Sequence, residues 1–126
     1  MSMRSPLARA RGLGSAKSGT MHFWWQRVTA IALVPLTVWM MVALIGAAGS
    51  DYASAHAFVA NPLVATLTLA LIVALFHHAQ LGLQVVIEDY VHVEWVKLTA
   101  LLLVKFTAIV LALMSAIAVV RIAAGG

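Results

Sequence analysis

The stretch HHAQLGLQVVIEDY, residues 77–90, sets two imidazoles in an apolar run and closes it with two carboxylates and a phenol. Polar side chains at membrane depth are costly, so each is a candidate for function. A neutral imidazole is a common ligand of haem iron. A phenol at a membrane boundary donates a hydrogen bond to a carbonyl ligand, and a neighbouring carboxylate orients it or relays protons. Helical spacing sorts these residues. Gly82 follows His78 by four positions and Ala74 precedes it by four, so all three share nearly one face. Without a side chain, Gly82 lets a flat macrocycle approach the backbone. Asp89 follows His78 by eleven positions, close to three whole turns, and lies nearly below it. His77 points about 100° away, and its ordinary reading is a hydrogen bond to another helix. The phenol is Tyr90, and tyrosine also gathers at such boundaries because it is amphipathic.

These residues need elements that cross a bilayer. The chain has 126 residues, 63% of them hydrophobic and 10% charged, against roughly 25% charged in a soluble domain. It has no cysteine, which excludes disulfides, cysteine-based zinc sites and iron–sulfur ligation by this chain. Composition and spacing predict an all-α integral membrane protein. Three transmembrane helices are expected at about 28–48, 62–88 and 98–122, after a basic tail over 1–27. Pro35 falls inside the first span, where neighbouring helices satisfy the freed carbonyl. The connection over 49–61 is small and polar and reads as a loop. His56 and His92 fall in predicted loops and are expected to be solvated. Counted from the end of the second span near Glu88, His78 lies about 15 Å along the helix axis, near the middle of a core about 30 Å thick.

Orientation follows from positive charge. Arg4, Arg9, Arg11, Lys17 and Arg27 precede the first span and Lys97 lies between the last two, whereas Arg121 stands alone on the other side. The N-terminus and the 89–97 loop are therefore expected in the cytoplasm and the C-terminus outside. The net charge of +4 comes largely from this tail beside apolar spans, a topology pattern and not a nucleic-acid surface. The tail is Arg- and Ser-rich without acids, as a transit peptide would be. It is expected to be an uncleaved cytoplasmic tail lying on a partner. Small residues in all three spans, among them Ala43, Gly46, Ala74 and Ala108, permit close contacts within the chain or with a second membrane subunit.

At the start of the first span, MHFWWQRVTAIAL (21–33) groups His22, two belt tryptophans and Arg27. Arg27 reads as a topology charge, or as an arginine whose planar fork pairs with haem propionates or lies at a quinone pocket. Lys105 interrupts the third span and is expected to snorkel to the headgroups, with a role near an anionic cofactor group as the alternative.

The pattern His78, Gly82, Asp89, Tyr90 within HAQLGLQVVIEDYVH (78–92) resembles the second span of a known family. That family is the small cytochrome-b-type membrane anchor of succinate:quinone oxidoreductase, the succinate dehydrogenase of respiratory complex II. The basic tail, the RVTA at 27–30 and the three-span, N-inside layout are similar as well. The resemblance implies pairing with a second, cytochrome b556-like anchor subunit to form a helical bundle around one haem b. Each anchor supplies one axial histidine, here His78 as the metal ligand beside Gly82, with Arg27 at a propionate or the quinone. An iron–sulfur subunit and an FAD flavoprotein dock on the pair. Electrons from succinate then pass through the clusters to ubiquinone at Tyr90 and Asp89. The implied location is a bacterial inner membrane sooner than a mitochondrial one, and the chain performs no chemistry alone. His77 remains a rival ligand, disfavoured only by spacing. Two rival functions are a haem-free structural anchor and a small proton channel or transporter subunit.

Overall fold

The computed structural model of the chain describes residues 3, 5–7 and 17–126. The tail arginines Arg4, Arg9 and Arg11 lie outside the described residues, so the expectation that the tail rests on a partner does too. The described chain is all-helical, with four helices: α1 (Lys17–Ala47), α2 (Tyr52–Ala60), α3 (Pro62–Tyr90) and α4 (Glu94–Ala123). Three of them are long and apolar enough to cross a membrane: Gly19–Ala47 within α1, Pro62–Tyr90 and Glu94–Ala123. α3 is the middle helix, packed against both α1 and α4. Thr29 of α1 meets His78 and Gln26 meets Gly82, so α1 and α3 run antiparallel.

The helix ends follow local chemistry. Gly49 closes α1 at φ 88°, a left-handed conformation that costs glycine little. α1 continues through Pro35 and starts at Lys17, well before the apolar stretch. Its first turns therefore carry His22, Trp24, Trp25 and Arg27 on ordered helix.

The 49–61 connection differs from expectation. It holds α2, nine residues long. Asp51 caps it by accepting the Ser54 backbone N–H, and hydrogen bonding from the Ser54 side chain, then from its backbone N–H, holds the Asp51 carboxyl below the usual carboxylate range. The alanines that read as a small, polar loop are good helix formers once that cap is in place. His56 is consequently helical, half-buried and not a solvated loop residue. Its Nε2 lies 3.0 Å from the Gly126 carbonyl oxygen and its ring sits 5.8 Å from that of Tyr52. His92 is exposed in the short link before α4, as expected.

Asn61 ends α2 and caps α3. Its Oδ1 accepts from the N–H groups of Leu63 and Val64, and Pro62 occupies the first turn, where a missing N–H costs nothing. Asn61→Ala is expected to remove about 1 kcal/mol of stability. Thermal unfolding of the detergent-solubilised protein measures this, and an unchanged midpoint would mean that the cap contributes nothing.

The chain alone buries little. In the most apolar windows of α1, α3 and α4, only 6%, 11% and 6% of residues are buried. The buried apolar side chains among the described residues are Ala65, Ala74, Leu81 and Val119. Ala65 and Ala74 are small, and they let neighbouring backbones approach α3 closely. Long rows of exposed apolar side chains, such as Ile31, Val34 and Val38 on α1, remain to be covered by lipid or by other helices.

Candidate functional site

The two adjacent histidines diverge as helical geometry requires. His78 faces α1, where its Nδ1 lies 3.1 Å from Thr29 Oγ1. His77 turns its ring against the edge of Trp25, with centroids 5.8 Å apart and planes at 80°. It makes no hydrogen bond among the described residues, unlike the interhelical bond expected of it. His77 instead lines a second groove, of about 430 Å³, between α3 and α4 with Gln80, Gln84 and Lys105.

His78 lines a groove of about 420 Å³ between α1 and α3, together with Gly19, His22, Phe23, Gln26, Arg27, Ala30 and Val85. Arg27 is exposed and its guanidinium lies 5.1 Å over the Phe23 ring, a weak cation–π contact at such a site. It has no ion-pair partner among the described residues. Two polar atoms of this groove, His22 Nε2 and Gln26 Oε1, are buried without a hydrogen bond among the described residues. Such orphans cost about 1–3 kcal/mol each unless something else satisfies them. Gly82 faces the same α1 surface: a Cβ placed there would meet Gln26 Nε2 at 3.7 Å, an ordinary contact. Nothing among the described residues therefore demands glycine at 82.

Asp89 and Tyr90 end α3, about three turns of helix from His78. Both are exposed, Tyr90 to 78%, and neither side chain has a partner among the described residues. The neighbouring Glu88 is engaged differently. Gln80 donates to Gln84 at 3.3 Å, and Gln84 donates to Glu88 at 2.8 Å, a polar ladder descending another face of α3. Lys105 is exposed beside that ladder, without an ion pair among the described residues.

No group of three or more His, Cys, Asp or Glu side chains comes together among the described residues, so these residues build no protein-only metal cage. A single imidazole suits an iron whose equatorial ligands are already supplied by a porphyrin. The groove fits such a group on three counts. His78 Nε2 has no hydrogen-bond partner among the described residues. Arg27 and His22 offer donors at the same groove. Gly82, on the His78 side of α3, adds no side chain of its own. Thr29 and Gln26 were not singled out from sequence. A hydroxyl and an amide in an apolar helix are weak signals until the fold shows what faces them.

Residues 1–121 match the family described as succinate dehydrogenase/fumarate reductase transmembrane subunit. The chain is 34% identical to the succinate dehydrogenase hydrophobic membrane anchor subunit of Rickettsia bellii, over 84% of this chain and 85% of that protein. It is 34% identical to the protein of the same name from Paracoccus denitrificans, over 68% and 67%. A succinate dehydrogenase membrane anchor subunit of Reclinomonas americana is 34% identical over 74% of this chain and 80% of its own length.

Proposed function

Because the chain belongs to the family of succinate dehydrogenase/fumarate reductase transmembrane subunits, we propose that it is the haem-binding membrane anchor of a succinate dehydrogenase. In this reading it pairs with a second, cytochrome b556-like anchor subunit to form a helical bundle. Together they hold an iron–sulfur subunit and an FAD flavoprotein on the cytoplasmic side of a bacterial inner membrane. The three spans, the basic N-terminal side and the unfilled apolar faces of α1, α3 and α4 support it. The family match removes support from the channel or transporter alternative.

The observation that carries the haem reading is His78: a mid-span imidazole in a groove shared with Arg27 and with two orphaned polar atoms. His78 would supply one iron ligand to a haem b, with a second ligand from the partner anchor. Arg27 and His22 would donate to its propionates, and Gly82 would lie against its face. When bound, the haem supplies a one-electron carrier within the membrane. The chain's own residues do the rest. Tyr90 donates a hydrogen bond to a carbonyl oxygen of ubiquinone arriving from the lipid. Asp89, exposed beside it, exchanges protons with water and delivers them toward that oxygen. Reduction of a quinone consumes two protons, so an exposed carboxylate at the aqueous boundary is chemically apt there.

Gly82→Ala separates packing within the chain from packing against a cofactor. Alanine favours the helix by about 1 kcal/mol and meets only an ordinary contact. The variant is expected to insert and assemble normally while its haem-to-flavin ratio falls. A wild-type ratio and spectrum would place the haem away from Gly82.

A further inference from the structure

We infer that Thr29 is a positioning residue for His78, holding the imidazole as the Nδ1–H tautomer so that Nε2 carries the lone pair offered to iron. The inference rests on the haem reading proposed above. A hydroxyl has one proton to donate and two lone pairs to accept with. Thr29 Oγ1 lies 2.7 Å from the Trp25 carbonyl oxygen and 3.2 Å from that of Gln26. Both are acceptors only, so the hydroxyl proton points toward them. With that proton committed to the shortest of the contacts, the one to the Trp25 carbonyl, the same oxygen is left to accept from its third neighbour, His78 Nδ1 at 3.1 Å. The opposite tautomer would put a proton on Nε2, which has no acceptor among the described residues, and leave no lone pair there for iron. Thr29 is 6% exposed, the one buried polar residue among those described, so water does not compete for the contact.

The geometry sets Thr29 apart from the other span hydroxyls. Thr66, Thr68, Thr99 and Ser115 also bond a carbonyl four residues back, but reach no other helix. A metal-binding imidazole nearly always donates its other N–H to an acceptor, which fixes its orientation and raises its basicity. Thr29 supplies that acceptor from α1, and so couples the helix that bears Arg27 to the helix that bears the ligand.

The test compares Thr29→Val, which keeps the shape and deletes the hydroxyl, with Thr29→Ser, which keeps the hydroxyl. Each is made in the whole complex and read per flavin in the assembled fraction. Thr29→Val is expected to weaken haem binding by about 10–100-fold, read as a lowered haem-to-flavin ratio. Haem that remains is expected to show a shifted low-spin spectrum and a raised midpoint potential, because a less basic imidazole stabilises ferric iron less. Thr29→Ser is expected to stay close to wild type, and succinate oxidation with an artificial dye is expected to be unchanged in both. Equal haem loss in Thr29→Val and Thr29→Ser would reduce Thr29 to packing and overturn the inference. So would wild-type retention and potential in Thr29→Val. If Thr29→Val does not assemble, Thr29→Ala takes its place with the same expectations. His78→Ala runs alongside: an intact b-type spectrum in that variant sinks the haem reading itself. Haem loss there with a wild-type Thr29→Val sinks only the role of Thr29.

Discussion

His78→Ala is expected to abolish the low-spin b-type spectrum of the assembled complex while leaving the chain in the membrane. Removing a ligand's hydrogen-bond partner already weakens metal binding by roughly 10–100-fold, and removing the ligand itself should exceed that. Insertion is spared because alanine is less costly than histidine at mid-span. His77→Ala provides the contrast. Its ring packs on the edge of Trp25 and faces the other groove, so its loss should trim packing without removing haem. Haem content per flavin and the reduced spectrum of both variants decide between the two histidines. A normal spectrum in His78→Ala with loss in His77→Ala would reverse the assignment.

Tyr90→Phe is expected to slow quinone reduction by about tenfold, the equivalent of a ~1.4 kcal/mol hydrogen bond lost at the quinone carbonyl. Dye-coupled succinate oxidation should remain at the wild-type rate, since the dye takes electrons before they reach the membrane. The side chain is 78% exposed, and its hydroxyl contributes to no bond within the described chain. Deleting it therefore costs the fold little. Parallel loss of both activities would make Tyr90 an assembly residue. Equal retention of both would move the quinone elsewhere.

Much of this layout is legible in the sequence. The charge-free stretch between Arg27 and Asp51, the Asn61–Pro62 junction and the apolar runs after it locate the three long helices, because length and transfer energy leave few alternatives. Spacing of four and eleven residues also puts Gly82 and Asp89 on the His78 side of α3, which needs only the pitch of a helix. The misses share a cause. α2 is hidden because a few alanines and serines beside an aspartate read equally as loop until the Ser54 N–H closes on Asp51. The partnership of Thr29 with His78, and that of His56 with Gly126, join residues far apart in sequence. No periodicity encodes such contacts, and in spans apolar on every side the buried face carries little signal of its own.

The role proposed for this chain stands or falls on whether it holds haem b as part of a flavin-bearing complex. The most direct test purifies the complex through a tag on this chain in mild detergent, then records the dithionite-reduced spectrum against flavin content. A flavoprotein, an iron–sulfur subunit and a second membrane anchor are expected to co-purify, with a b-type band amounting to one haem per flavin. A complex that carries flavin without any b-type band would contradict that role.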